Sequence, residues 1–236
     1  MAAFALSVLG GLSKSATDEA VKALKHLLCW FDTVKDDGIL FGGNGNKSLM
    51  PPSVDEIKAT LNDPEAELPF CFFIMTDADL ALRSRYSVWA FLNRGPILVR
   101  ARLQHSTAVD ITDSESFGFS IGAVNAEVIR GKLEDLGYAE IVEQETVIGT
   151  DNDATLRIAS DAGSAKKALF LMRRLAHATC MTFAKKIKAV QIKRDLNLAD
   201  AGTHYLKKDI FKGFARRASN PTARPFRASP ARPTEP

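Results

Sequence analysis

Two aspartates that follow an apolar run are the residues of this sequence best placed to do chemistry. The run "LPFCFFIMT" (68–76) has the length and composition of a strand that is covered on both faces, and Asp77 and Asp79 come directly after it. Paired carboxylates at a strand end can hold Mg²⁺ or Mn²⁺ against the phosphates of a nucleotide. The alternative is that both aspartates only form the turn after the strand.

The D-x-D spacing of Asp77 and Asp79 resembles the signature of nucleotide-sugar glycosyltransferases. That resemblance implies a metal- and nucleotide-dependent transferase. Those enzymes place a complete nucleotide-binding α/β unit before the motif, whereas only one clear strand precedes it here. The transferase therefore stays an alternative, and the sequence alone leads us to assign no catalytic residue, no metal ligand and no cofactor.

The other candidate motifs fail on their spacing. "FGGNGNKS" (41–48) lacks the glycines of a phosphate-binding loop, and the "LMPP" that follows is incompatible with the helix such a loop requires. None of the spacings typical of zinc sites occurs among the four histidines, and there is no Gly-x-Ser-x-Gly motif. The histidines are His26, His105, His177 and His204.

Charge is distributed very unevenly along the chain. Residues 1–163 hold 14 Lys+Arg against 24 Asp+Glu, a net charge of −10, whereas residues 164–236 hold 17 against 4, a net charge of +13. Not one acid occurs between Ser164 and Arg194. Such asymmetry predicts a polyanionic partner, and the alternative is that the two parts neutralise each other within one fold.

Cations of the last third of the chain are the predicted nucleic-acid-binding residues. They belong to a long amphipathic helix that opens near Ser164, to the segment after it, and to a proline- and arginine-rich tail, 211–236, that is predicted to be disordered. A solvated helix face and a tail that only aids solubility are the alternatives. The predicted residues are Lys166, Lys167, Arg173, Arg174, Lys185, Lys186, Lys188, Lys193, Arg194, Lys207, Lys208, Lys212, Arg216, Arg217, Arg224, Arg227 and Arg232.

The elements that must position these residues predict an α+β fold. A helix begins near Ser15 and Asp18, and Ser53 with Glu56 forms a capping box before a second, short helix. Strands are predicted at 68–76 and 97–104, and "YSVWAFL" (86–92) fits a strand or a short helix. We thus expect N-terminal helices, a mainly antiparallel sheet, the long basic helix and the disordered tail.

The second half predicts a split βαβ arrangement. "FGFSIGAV" (117–124) has the pattern of a strand, a helix follows Asn125, and "AEIVEQETVIG" and "ATLRIAS" flank a turn as in a hairpin. With the long helix and an extended "AVQIKRDL" (189–196), this order resembles that of the RNA-recognition-motif family. That resemblance implies RNA binding through strand aromatics, of which only Phe117 and Phe119 are available, and no binding residues are transferred from it.

These features favour a non-enzymatic protein that binds nucleic acid, RNA rather than DNA, through phosphate contacts. A compact body with a basic arm suits a self-associating packaging protein of the viral nucleocapsid or coat type, and homo-oligomers are expected. The alternative is a matrix-type scaffold on an anionic membrane surface, with Phe211, Phe214 and Phe226 as shallow anchors.

Domain boundaries and compartment complete the expectations. We predict a helical region at 1–66, an α+β core at 67–210 and the tail at 211–236. Three isolated cysteines form no disulfide framework, which predicts a reducing compartment, the cytoplasm or the nucleus, or a virion if the protein is viral.

Overall fold

The protein is built around one five-stranded mixed sheet. A computed structural model describes residues 3–12, 17–34, 39, 41, 52–161 and 169–219. In the sheet the strands lie in the order β3-β2-β1-β4-β5. Their bounds are Phe72–Ala78 (β1), Arg85–Leu92 (β2), Gly95–Leu103 (β3), Thr146–Thr150 (β4) and Ile187–Gln191 (β5).

The pairing of the strands gives the sheet two distinct edges. β1, β2 and β3 pair antiparallel, whereas β1, β4 and β5 run parallel. The three parallel strands therefore end at the same edge, which we call the carboxyl edge, and begin at the opposite one, the amino edge. Side chains at the ends of different parallel strands converge at the carboxyl edge, where ligand sites of parallel sheets form.

Helices cover both faces of the sheet. One face packs under α4, α6 and α7, and the other packs under α3, two 3₁₀ helices and α8. β1 is buried along its whole length because it lies between the two layers, as the apolar run at 68–76 predicted. The helices are Ala3–Gly11 (α1), Asp18–Val34 (α2), Val54–Leu61 (α3), Ile111–Asp135 (α4), Ala139–Val142 (α5), Asp153–Ser160 (α6), Leu169–Phe183 (α7) and Lys208–Ser219 (α8), with 3₁₀ helices at Arg194–Leu196 and Leu198–Gly202.

The N-terminal helices and the capping box agree with the sequence. α2 begins at Asp18, and in α3 the Ser53 side chain accepts the Glu56 amide while the Glu56 carboxylate accepts the Ser53 amide. α2 touches the rest of the molecule where Trp30 meets the ring of Phe211 edge-on, 6.3 Å between centroids. Within the described residues, no helix is both long and apolar enough to cross a membrane.

The predicted strand at 117–124 is wrong, because these residues form the middle of α4. Asp110 caps the helix by accepting the Asp113 amide at 2.8 Å. Gly118, Gly122 and Ala126 recur every fourth residue on the buried face, where their small size lets the helix lie close to the sheet. An apolar run of this kind reads as strand or helix from pattern alone.

The predicted hairpin of 139–149 with 154–160 is also wrong. Of these residues, only those of β4 are in the sheet, and 154–160 belong to α6. The "TDND" segment that reads as a turn supplies the helix cap instead, since the Asn152 side chain accepts the Thr155 amide at 2.9 Å. β4 is thereby followed by a helix and pairs in parallel with both of its neighbours.

The basic helix is shorter than predicted. Residues 162–168, which include Lys166 and Lys167, lie outside the described part of the chain, and α7 ends at Phe183. Lys185 adopts a left-handed conformation, φ 53°, and the Lys186 amide reaches back to the Met181 carbonyl at 2.9 Å. These features close the helix as a C-terminal cap, so that β5 can begin at Ile187.

Part of the predicted disordered tail is a helix. Residues 211–219 lie in α8, where Phe214 is buried, and residues 220–236 lie outside the described part of the chain. The α+β class with N-terminal helices before a mostly antiparallel sheet is confirmed. The split βαβ order within it is not found, because β4 and β5 are parallel and 117–124 is helical. The domain boundaries stay a prediction.

Candidate active site

Four acids and a histidine meet at the carboxyl edge of the sheet. Ligand atoms of Asp77, Glu115 and Asp151 all lie within 4.8 Å of one another, and so do those of Asp77, Asp200 and His204. The two groups share Asp77. We call these five residues the carboxylate cluster.

The parallel pairing of β1 and β4 brings two of the acids together. Asp77 is the second-to-last residue of β1, and Asp151 follows the last residue of β4. Met75 pairs with Gly149, two residues before each aspartate, so the register places the aspartates side by side. Had β4 paired antiparallel with β1, Asp151 would lie at the amino edge instead.

Helix α4 brings in Glu115 because it can approach β1 closely. A β-carbon on Gly118 would lie 3.1 Å from the Asp77 carbonyl oxygen, so glycine permits the contact. The first turn of α4 is held by an ion pair between Asp113 and Arg174 of α7, 3.1 Å between oxygen and nitrogen. The Ser114 hydroxyl also donates to the Asp79 carbonyl beyond the end of β1. These contacts fix Glu115, which is 6% exposed, against the strand ends.

The second 3₁₀ helix carries Asp200, and His204 follows two residues after its end. Asn197 is fully buried at its start and donates to the Thr76 carbonyl of β1 at 2.9 Å, which ties this helix to the strand. The Thr203 hydroxyl donates to Asp77 Oδ2. His204 Nδ1 lies 2.9 Å from Asp200 Oδ1 and 3.8 Å from Asp77 Oδ2.

Burial and mutual repulsion disfavour the ionised forms of Asp77, Glu115 and Asp151. Burial raises the pKa of Asp77 to about 7, against the opposing Thr203 hydrogen bond. Burial raises the pKa of Glu115 to about 10, with repulsion from Asp77 and Asp151 adding to the effect. Burial also raises the pKa of Asp151. A hydrogen bond to Asp200 raises the pKa of His204. The cluster is therefore short of positive charge.

Two unpaired carboxylate oxygens indicate that a cation fits the cluster. Glu115 Oε2 and Asp151 Oδ1 are buried and find no hydrogen-bond partner among the residues that the structure describes. Buried polar atoms are nearly always paired, so orphaned acceptors in a shared pocket fit a missing positive group. Carboxylate oxygens are the ligands that Mg²⁺ and Mn²⁺ prefer. The donor set of the carboxylate cluster therefore fits divalent metal ions.

Asp79 does not join the cluster. Its carboxylate accepts the Arg85 amide across the turn from β1 to β2, so it shapes that turn. The predicted pair thus divides into Asp77, which lies in the cluster, and Asp79, which has the turn-forming role that the sequence left open.

The predicted cations within the described part of the chain fall into three groups. Two are engaged in the fold: Arg174 with Asp113, and Arg217, which donates to the carbonyls of Thr60, Leu61 and Asp63. Arg173 is exposed on α7, and Lys185, Lys186 and Lys188 are exposed at or near the amino edge, away from the cluster. Six further cations follow β5, and one of them, Arg194, lies close enough to Glu115 and Asp151 to stabilise their ionised forms. The six are Lys193, Arg194, Lys207, Lys208, Lys212 and Arg216. Arg224, Arg227 and Arg232 lie outside the described residues.

Sequence reasoning found Asp77 but missed the other four residues of the cluster. The signal for Asp151 was present, since "TVIGTD" repeats the pattern of an apolar strand that ends in aspartate. Glu115 and Asp200 come from a helix and a 3₁₀ helix, where a single acid carries no local signal. Their role depends on the sheet order.

Comparison with known proteins gives matches to solved structures only. No family model matches the chain, and neither does any curated protein. A crystal structure of LC11-RNase H1 with an RNA/DNA hybrid matches at 16% identity and a TM-score of 0.44, over 56% of this chain and 93% of that one. RNase H1 from Halobacterium salinarum matches at 11% identity and 0.42, over 56% and 93%. An N-terminal RNase H domain from Mycobacterium tuberculosis matches at 14% identity and 0.38, over 62% and 99%.

The prediction of a non-enzymatic packaging protein is wrong. The finding that overturns it is the carboxylate cluster, since buried acids with raised pKa values and unpaired oxygens are typical of catalytic centres. The membrane scaffold is wrong as well, because Phe214 is buried and Phe211 packs on Trp30. The D-x-D transferase fails because Asp79 is bound in a turn.

Proposed function

We propose that this protein is a divalent-metal-dependent phosphodiesterase that cleaves a strand of nucleic acid. The observation that carries the proposal is the pair of three-ligand groups that share Asp77. A carboxylate shared by two adjacent groups is suited to hold two cations side by side, the arrangement that nucleases and polymerases use for phosphoryl transfer.

Each group has its own set of ligands. Asp77, Glu115 and Asp151 would hold one cation, and Asp77, Asp200 and His204 the other. Bound cations of this kind supply activation of water and stabilisation of the charge that develops on phosphoryl oxygens. The first group has only oxygen ligands and suits Mg²⁺ or Mn²⁺, while the imidazole of the second favours Mn²⁺ over Mg²⁺.

The surrounding residues orient the ligands. The Thr203 hydroxyl, by donating to Asp77 Oδ2, limits the rotation of the shared carboxylate. Asn197 anchors the second 3₁₀ helix to β1, and its amide also favours the ionised form of Asp151, so one buried side chain acts on ligands of both groups. The positive charge of Arg194 favours the ionised forms of Glu115 and Asp151, which is the state that binds a metal.

Nucleic acid is the substrate class that the surroundings favour. The segment 193–217, which begins just past the carboxyl edge, holds seven Lys and Arg against three Asp. A row of cations beside a metal site suits a polymer of phosphodiesters, since each neutralised phosphate releases a counterion. One of the matched RNase H1 structures contains an RNA/DNA hybrid, and such a hybrid is the first substrate to test, with single-stranded RNA and duplex DNA beside it.

The test is a cleavage assay with matched aspartate variants. The purified protein is incubated with end-labelled substrates in Mg²⁺, in Mn²⁺ and in EDTA. We expect cleavage only with metal, and a loss of roughly a thousandfold or more for Asp77→Asn, since each 1.4 kcal/mol of lost stabilisation costs a factor of ten. Asp79→Asn is the control and should retain most of the activity, because that side chain holds the turn and belongs to neither ligand group.

Two results would refute the proposal. Cleavage that persists in EDTA would exclude the metal-dependent mechanism. Equal loss in Asp77→Asn and Asp79→Asn, with both variants folded by circular dichroism, would show that the turn matters and the cluster does not.

A further inference from the structure

A cavity opens directly beside the carboxylate cluster. Its volume is about 970 Å³, and it lies between residues 64–68, the segment that follows β5, and α8. Asp200 belongs both to the cluster and to the cavity wall, so the two are continuous. Arg194 lines the cavity as well, and its charge acts on Glu115 and Asp151. Anything bound in the cavity would therefore lie next to the metal ligands.

The walls of the cavity combine apolar surface with cations. Leu196, Leu206 and Phe214 provide the apolar part, and Arg194 and Arg216 provide exposed charge. Of the acids in the wall, Glu67 forms an ion pair with Arg94. Asp200 would be neutralised by metal in the proposed site. Glu65 and Asp195 add two exposed acids, so the charge of the wall is mixed. Arg194 and Arg216 are the exposed cations in it that suit the phosphates of one strand, and the apolar surface beside them suits its bases.

An exposed aromatic residue lies in the sequence between a member of the cluster and a residue of the cavity wall, without being part of that wall itself. Tyr205 is 88% exposed, and it comes between His204, a member of the cluster, and Leu206, a residue of the cavity wall. An aromatic ring held in solvent has no role in the core. Stacking on an unpaired base is the use that nucleic-acid-binding proteins make of such rings.

We propose that this cavity is a subsite for the nucleic-acid strand next to the bond that is cleaved. Tyr205 stacks on a base at its entrance, and Arg194 and Arg216 contact phosphates along its rim. The inference rests on the proposed function, because it takes the carboxylate cluster as the place of cleavage. It goes further by assigning the strand a path along α8.

The experiment compares two tyrosines and two cations in the full chain. Binding of a fluorescein-labelled single-stranded RNA and of the same RNA annealed to DNA is measured by anisotropy in Ca²⁺, and cleavage positions are mapped in Mg²⁺. We expect Tyr205→Ala to weaken binding roughly tenfold, as the loss of one stacked base does, and to shift the cleavage positions. Arg216→Gln should lower the salt dependence of log affinity by roughly 0.7 to 0.9.

The controls lie at the opposite edge of the sheet. Tyr138 is 51% exposed beyond the last turn of α4, and Lys186 is exposed before β5. Tyr138→Ala and Lys186→Gln remove the same chemical groups there and should change neither affinity nor cleavage positions. Thermal unfolding checks that all four variants fold.

The outcomes separate the subsite from the proposed function. Wild-type protein that binds through Tyr205 and Arg216 but never cleaves would refute the phosphodiesterase and leave the cavity as a strand-binding site without catalysis. Cleavage that is unchanged in both cavity variants would overturn the subsite alone. Cavity variants that lose affinity for a free nucleoside monophosphate, but not for either labelled strand, would also overturn it in favour of a small-molecule site.

Discussion

Two buried ionisable side chains at opposite ends of α4 have very different surroundings. Glu115, near the start of the helix, is 6% exposed, and its Oε2 has no hydrogen-bond partner among the described residues. Arg130, about 22 Å further along the helix, is 8% exposed. Its guanidinium donates to the Gln144 carbonyl at 2.9 Å, to Thr146 Oγ1 at 2.8 Å and to the Val142 carbonyl.

The difference separates a functional charge from a structural one. Arg130 stabilises the amino edge because its buried donors meet acceptors from the segment that leads into β4. Glu115 is held at the carboxyl edge beside two other acids, where the Ala78 backbone and the charge of Arg194 only partly offset the effect of burial on its ionised form. A fold keeps such a destabilising arrangement where function requires it, and a bound cation would supply the missing charge.

The comparison is tested most strongly by exchanging each charge for a neutral side chain of similar size. Glu115→Gln should abolish most metal-dependent cleavage. It should also stabilise the metal-free protein at pH 7 by up to about 3 kcal/mol, because wild-type Glu115 must take up a proton on folding at a pH above its ordinary pKa, whereas glutamine need not. Arg130→Met should destabilise the protein by roughly 2–5 kcal/mol, since it leaves buried acceptors unpaired. Urea unfolding measures both changes.

Opposite signs of the two stability changes are the essential result. A Glu115→Gln protein that unfolds more easily than wild type would mean that Glu115 has a structural partner. Activity in the surviving Arg130→Met protein should remain near the wild-type level, because that side chain lies at the other edge of the sheet.

The same contrast explains how far the sequence could lead. Strand β1 and the α3 capping box follow from local patterns, because an apolar run and a Ser-x-x-Glu pair carry their own signals. The cluster does not, because Glu115, Asp151 and Asp200 meet only once β1 and β4 are parallel and α4 lies across them. The uneven charge predicts that the cations themselves form the functional site. In the structure the cations of 193–217 follow a strand that ends beside an acidic cluster, and a net charge over long segments does not reveal such a cluster.

The stability of the metal-free protein should respond to pH through Asp77. The pKa of this group is raised by burial from 3.8 to about 7, so the folded state holds the proton more tightly than the unfolded chain. Its contribution to the free energy of unfolding is therefore complete below about pH 4 and is lost as the pH rises towards 7. We expect the melting temperature of wild type, relative to that of Asp77→Asn, to fall across this range.

Added Mg²⁺ should reverse that trend. A cation competes with the proton for the same oxygens, so its stabilising effect should be larger at pH 8 than at pH 5. A melting temperature that Mg²⁺ raises equally at both pH values, or equally in Asp77→Asn, would place the bound cation elsewhere.

The smallest expected effects come from replacing two glycines of α4 by alanine. A β-carbon at Gly131 would meet no described atom within 4 Å, so Gly131→Ala should stabilise the protein by about 0.5–1 kcal/mol through helix propensity and leave activity unchanged. A β-carbon at Gly118 would lie 3.1 Å from the Asp77 carbonyl oxygen, which is backbone and cannot move aside. Gly118→Ala should thus gain little stability, and by shifting Glu115 away from Asp77 it should lower the cleavage rate about tenfold. A Gly118→Ala protein with wild-type activity would show that the cluster tolerates displacement of α4, and the close approach of helix and strand would then be a matter of packing alone.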